Sequence, residues 1–154
     1  MAYLLDTGIL LRLVDETDGQ HDVVKQAVSR LGDQREALYI TTQNFAEFWN
    51  VATRPRTNNG LELPIATVIQ LYDRAIEPIS SVLVELPAVH AEYKRLLIKH
   101  SVVGKQVHDA RLVAMMLNWQ IERILTLNER NFLRYEQEGI TVVTPDAIVA
   151  GDAN

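Results

Sequence analysis

The chain is 154 residues long, enough for one domain that buries roughly 70% of the surface its unfolded form exposes, so no staple is needed to hold a core. It contains no cysteine, which excludes disulfides, thiolate metal ligands and a cysteine nucleophile, and leads us to expect a reducing, cytoplasmic compartment. Fifteen Lys and Arg against twenty Asp and Glu give a net charge of −5, which excludes a broad cationic face for phosphate backbones; any nucleic-acid role has to be local.

The opening MAYLLDTG lacks the basic and apolar regions of a secretory signal, and no apolar run approaches the ~20 residues of a membrane span, so no membrane association is expected. Residues 2–5 read as a short strand, and Asp6-Thr7 behind it as the cap of a following helix or an Asx-turn. A helix follows at His21–Leu31, with Val24, Ala27, Val28 and Leu31 on one stripe, then a strand at 38–41. Gln43–Thr53 is helical, with Phe45, Phe48, Trp49 and Ala52 on one stripe, and TRPRTNNGLELP, residues 53–64, reads as one long surface loop. Helical patterns over 65–76, 88–100 and 107–118 are interleaved with strands at 81–84, 123–126 and 140–143. Residues 146–154 read as a loose C-terminal tail. The strands lack clean alternation, as strands buried on both faces do. Strands alternating with helices predict a single α/β domain over 1–154, with a central, mainly parallel sheet flanked by helices.

Three carboxylates stand out against that frame. Asp6 follows the first strand directly, and ligand sites in open parallel sheets gather outside the carboxyl ends of strands. Asp109 lies in the first turn of 107–118, a helix apolar almost all round, where it either complements the helix dipole or offers a carboxylate on a rigid element. Glu47 points away from the apolar stripe of its helix, so periodicity alone makes it a solvated residue. His108 has no assigned role, and His21, His90, His100 and His108 lack the spacing of a zinc helix. There is no nucleophile elbow, P-loop or dinucleotide fingerprint. The remaining chemistry is carboxylate oxygen, which suits Mg²⁺ or Mn²⁺ and phosphoryl transfer.

In order and wording the segments resemble the PIN-domain family, and within it the VapC-type toxin ribonucleases. LLDTGILLRLVDETDGQH is similar to the family's opening Asp-Thr-Asn stretch, TTQNFAEFWNVATRP to its Glu-bearing helix, GKQVHDARLVAMM to its third acidic segment, and ILTLNERNF to its closing Leu-Thr-x-Asn-x-x-Asp-Phe segment. Together the four span about residues 1–145. The resemblance implies a Mg²⁺- or Mn²⁺-dependent endoribonuclease in which Asp6, Glu47 and Asp109 line one acidic pocket, with Thr7, Asn128 and Asn131 positioning metal-bound water or substrate. It also implies a homodimer and an antitoxin that obstructs the pocket. Two positions depart from the pattern. Gly8 stands in place of Asn, and Asn131 stands in place of an acid, lacking the charge that helps retain a second cation.

The expected reaction is hydrolysis of an RNA phosphodiester, possible substrates including tRNA, with Asp6, Asp109 and, directly or through water, Glu47 holding the metal. Arg12, Arg54, Arg56, Lys94, Arg95, Lys99, Lys105 and Arg111 are candidates for backbone contacts, with Arg54 and Arg56 first because a mobile loop can close on a single strand. A competing reading is a binding module weakened in turnover by Asn131; a structure-specific DNA nuclease is a remoter one. A twofold dimer is expected on helices 65–76 and 88–100, through Val68, Leu71, Tyr72, Val89, Tyr93, Leu96 and Leu97.

Overall fold

A computed structural model describes residues 1–152. The central strand β1 (Ala2–Leu5) pairs in parallel with β2 (Ala37–Thr41) on one side and β4 (Arg123–Leu125) on the other, Tyr3 lying opposite Leu38 and Arg123. β3 (Ser81–Leu83) and β5 (Thr141–Val143) close the edges in the order β3-β2-β1-β4-β5, and every pairing is parallel. The chain runs outward from β1 through β2 to β3, then returns to the other side of β1 for β4. The reversal leaves a crevice at the carboxyl ends of β1 and β4, where side chains from separate segments meet.

Helices cover both faces of the sheet. Tyr3 and Leu5 of β1 pack with α1 (Thr7–Val14), α2 (His21–Asp33), α3 (Thr42–Thr53), α4 (Ile65–Ala75) and α7 (Pro145–Ala150). Leu4, pointing the other way as strand alternation demands, packs with α5 (Val89–Lys99), α6 (Val107–Asn118) and the aromatic rings of Phe132 and Tyr135. Burial on both faces explains the unbroken apolar runs of the strands. No helix among the described residues is long and apolar enough to cross a membrane.

The structure departs from the sequence reading in three places. Residues 145–150 are helical: Thr144 caps α7 through its hydroxyl, Ile148 is buried, and Arg30 Nη1 donates to the carbonyls of Ile148 and Val149 at 2.9 and 2.7 Å. The tail expected over 146–154 is therefore a docked helix as far as Ala150, and residues 153–154 lie outside the described residues.

The segment 53–64 is also ordered. Leu61 and Leu63 donate their backbone N–H groups to the carbonyls of Val51 and Ala52, and Glu62 donates to Arg54, so the segment folds back as a cap on the free carbonyls of α3. Gly60 makes this possible, because a Cβ there would fall 1.9 Å from the Arg54 carbonyl oxygen.

Finally, the apolar residues expected to build a dimer surface serve the protomer's own core. Val68, Tyr72, Val89 and Leu96 are buried, and Leu71, Tyr93 and Leu97 pack against the core. α4 and α5 pack into different core clusters, on opposite faces of the sheet.

Candidate active site

The backbone turns sharply after β1, and Asp6 caps α1: its extended backbone lets Oδ1 accept the Thr7 N–H at 2.8 Å. Its other oxygen accepts the Thr126 hydroxyl, just past β4, at 2.6 Å, and its own N–H donates to the Leu125 carbonyl at 3.0 Å. The one carboxylate thus fixes the helix start and bridges the ends of β1 and β4, and it lies buried behind the residues that line the cleft described below. Asp6 is 8% exposed. Burial pushes its pKa up, the hydrogen bonds from Thr126 and Thr7 pull it back, the Glu47 charge raises it and Arg12 lowers it.

Thr7 carries the connection to α3. Its hydroxyl donates to Glu47 Oε2 at 3.0 Å and accepts from Asn44 Nδ2 at 3.1 Å. Asn44 is fully buried and forms a capping box with Thr41, which sets the entry of α3 behind β2. The other Glu47 oxygen accepts from Gln43 Nε2 at 2.7 Å, and the same nitrogen donates to the His108 carbonyl of α6 at 2.8 Å. With both amide hydrogens used, the orientation of Gln43 is fixed, because a flipped amide would set oxygen against two oxygens. Gln43 Oε1 is left enclosed without a partner among the described residues, at a cost of about 1–3 kcal/mol.

Asp109 stands one residue after His108, half-buried in the first turn of α6. Its pKa is pushed up to about 6, first by burial, then by the charges of Asp6 and Glu47, with Arg134 and Lys105 acting in the opposite direction. The three carboxylates therefore share one electrostatic environment. Gln43, Glu47, Lys105, His108, Asp109 and Asn131 line a cleft of about 750 Å³.

The remaining sequence candidates separate by position. Asn131, in a 3-10 turn over Glu129–Asn131, is on the cleft wall, whereas Asn128 contributes its backbone N–H to Thr126 Oγ1 at 3.0 Å. Arg111 lines the cleft but is ion-paired with Glu85. Arg12 lies one turn beyond Gly8, and a Cβ at Gly8 would sit 3.7 Å from its Nη1. That is an ordinary contact, so space alone does not require glycine at position 8. Arg54 and Arg56 follow the C-terminal end of α3, in the segment that caps it, with Arg54 Nη2 on the Asn59 carbonyl, and neither is among the residues lining the cleft. Arg95 and Lys99 are engaged by Glu138. Thr126, Asn44 and Gln43 were not singled out by sequence reasoning. Thr126 follows a strand whose adjacency to β1 only the sheet order reveals; Asn44 did carry a local signal, the Thr-x-x-Asn spacing of a capping box.

Among the described residues, no three Asp, Glu or His side chains are gathered closely enough to hold one ion. The chemistry of the donor set nevertheless fits a hard divalent cation. Glu47 and Asp109 offer carboxylate oxygens to the cleft, burial first and neighbouring carboxylates second raise the pKa values of Asp6 and Asp109, and Mg²⁺ needs only one or two carboxylates because it keeps several waters.

The fold recurs in known structures. VapBC-1 from nontypeable Haemophilus influenzae is 17% identical with a TM-score of 0.62, covering 95% of this chain and 99% of that one. VapBC2 from Rickettsia felis, bound to a DNA fragment from its promoter, is 11% identical with a TM-score of 0.63, covering 94% and 98%. VapC20 from Mycobacterium tuberculosis, a Sarcin-Ricin loop cleaving toxin, is 15% identical with a TM-score of 0.57, covering 79% and 86%. Among curated protein sequences none matches. The family model for the PIN domain spans residues 3–146, from the strand before Asp6 to the first turn of α7, and takes in every carboxylate of the cleft. The chain belongs to the PIN domain family.

Proposed function

We propose that this protein is a Mg²⁺- or Mn²⁺-dependent endoribonuclease, and the toxin of a toxin–antitoxin pair. The observation that carries the reading is the grouping of three carboxylates from separate segments: Thr7 joins Asp6 and Glu47, through its N–H to the first and its hydroxyl to the second, and Glu47 and Asp109 line one open cleft. Structural need does not explain the grouping, since crowding like charges raises the free energy of the folded chain.

Asp6 and Asp109 would hold the metal, and Glu47 an outer water. A bound divalent ion supplies a nucleophilic water at neutral pH and neutralises charge on the phosphorane oxygens. The protein's own residues do the rest. Thr126 and Thr7 lock the Asp6 carboxylate by one hydrogen bond to each oxygen, so its orientation is set before substrate arrives. Glu47, held at both oxygens, keeps lone pairs free to orient water at the cleft. Lys105 provides a cation for the substrate backbone, and the Asn131 amide donates to a phosphate oxygen.

An RNA substrate and a protein partner are supported by likeness to VapBC assemblies and to a toxin that cleaves the Sarcin-Ricin loop. Assembly as a homodimer, in a cytoplasmic compartment, belongs to the same reading. The amide at Asn131 favours one alternative, an RNA-binding module without turnover. Incubating wild type and Asp6→Asn with a pool of tRNA and structured RNA, in Mg²⁺, Mn²⁺ and EDTA, decides between them. Cleavage by wild type that is lost in EDTA and in the variant supports the nuclease. Cleavage indifferent to both defeats the metal mechanism, and tight RNA binding without cleavage supports the module.

A further inference from the structure

Gln43 is none of the carboxylates of the cleft, yet it joins the segments that carry two of them. Its Nε2 reaches Glu47 Oε1 at 2.7 Å within α3 and the His108 carbonyl at 2.8 Å in the first turn of α6, one residue before Asp109. Among the described residues this is the one side-chain hydrogen bond from α3 to α6. The Glu47 carboxylate is consequently held from two sides, by Thr7 at Oε2 and by Gln43 at Oε1. Removing the amide leaves it pinned at one oxygen and free to turn.

Gln43 Oε1 has no partner among the described residues, so the amide acts through its nitrogen alone. An apolar side chain of the same length would fill the same space without an orphaned acceptor. What only the amide supplies is a pair of donors from one nitrogen, aimed at a carboxylate on one helix and a carbonyl on the other. We propose that Gln43 is a positioning residue for the reaction, fixing the orientation of Glu47 and its spacing from the turn that bears Asp109, so that both carboxylates face one ion and its waters. The inference rests on the metal-dependent nuclease reading above. Groups that orient the residues around a metal commonly carry a ten- to a hundredfold share of metal affinity or activity, so an effect of about tenfold is expected.

The test compares wild type, Gln43→Met, Gln43→Asn, Glu47→Gln and the Gln43→Met/Glu47→Gln pair. It reads the melting temperature in EDTA, Mn²⁺ binding by calorimetry without RNA, and kcat and KM for RNA cleavage. Whatever its melting temperature, Gln43→Met is expected to bind Mn²⁺ about tenfold more weakly and to lower kcat about tenfold with KM within about twofold. Gln43→Asn, too short to reach both acceptors, should bind Mn²⁺ as weakly as Gln43→Met. The double variant should be no worse than Glu47→Gln alone, since Gln43 acts through Glu47. A Gln43→Met protein that melts lower but binds Mn²⁺ and cleaves like wild type would show a purely structural role, and additive losses in the pair would show independent action; either overturns the inference while leaving the nuclease reading intact. Wild type that neither binds Mn²⁺ nor cleaves RNA overturns both.

Discussion

The Thr126 hydroxyl donates to Asp6 Oδ2 at 2.6 Å, bridging the residues that leave the two adjacent strands β4 and β1. Thr126 Oγ1 in turn accepts the Asn128 N–H at 3.0 Å, so a single side chain ties the Asp6 carboxylate to the backbone that leads to Asn131. Thr126→Val keeps the shape and removes both bonds. Leaving a buried carboxylate with one partner fewer should cost about 1–3 kcal/mol in urea unfolding at pH 7 and weaken Mn²⁺ binding. Unchanged stability would mean that the Asp6 carboxylate does not depend on this bond.

Asp109 gives a pH-dependent prediction whose sign follows from its surroundings. Its pKa in the folded chain is about 6 against an ordinary 3.8, so the folded state is penalised once the group is charged. The penalty is absent well below pH 3.8, grows as pH rises from there to about 6, and is level above. In EDTA, Asp109→Asn should therefore match wild type near pH 3.8 and exceed it at pH 7 by about 1–2 kcal/mol, after allowance for solvent screening. RNA cleavage should fall about a hundredfold or more. A variant less stable than wild type at pH 7 in EDTA would contradict the account by burial and neighbouring charge.

Asn131→Asp restores a carboxylate to the cleft wall. With metal it should tighten Mn²⁺ binding or raise turnover, and without metal it should lower the melting temperature by adding charge beside Asp109. Calorimetry and thermal melts in Mn²⁺ and in EDTA read the two effects separately. A variant that changes neither places residue 131 outside the reach of the metal.

Glu138 should control acid stability away from the cleft. Its pKa is lowered to about 2, chiefly by the hydrogen bond from Arg95, with Lys99 and His100 adding to it. The carboxylate is 7% exposed and ties α5 to the 3-10 run Leu133–Glu138, while Arg95 and Lys99 are more than 40% exposed. The depressed pKa contributes stability that is present above pH 4.5 and is lost as pH falls toward 2. Glu138→Gln should cost about 1–2 kcal/mol at pH 7, discounted for the exposed cations, and the difference should vanish near pH 2. Equal losses at both pH values would point to packing instead of charge.

The cations near the chemistry are separable from those that are not. Lys105→Ala should raise KM for RNA several-fold with a shallower salt dependence, whereas Arg56→Ala, beyond the far end of α3, should leave KM within about twofold. Gly60→Ala should destabilise the fold, because its Cβ would overlap the Arg54 carbonyl oxygen, by more than about 2 kcal/mol. A large KM effect of Arg56→Ala would restore the reading of residues 53–64 as a substrate-closing loop.

Local pattern by itself determined the succession of elements. The apolar runs at 2–5, 38–41, 81–84, 123–126 and 140–143 lie on the five strands to within a residue at each end, and the helices over 65–76, 88–100 and 107–118 match α4, α5 and α6. Such runs are legible because strand and helix burial impose periods of two and 3.6 on neighbouring residues. Asp6 and Asp109 were visible for the same reason, as charges where an apolar residue or a plain cap would do. Glu47 was legible only through the family resemblance, since its departure from an apolar stripe describes any solvated position. Tertiary structure alone decided that Thr7 and Gln43 hold Glu47 at the cleft, that Thr126 meets Asp6, and that Arg54 and Arg56 are not among the cleft's lining residues. It also decided that residues 145–150 dock as α7 and that the apolar residues of α4 and α5 are spent on two separate faces. Each of these depends on strand order or on contacts between residues up to 120 positions apart, and no local period carries information about a partner at that distance.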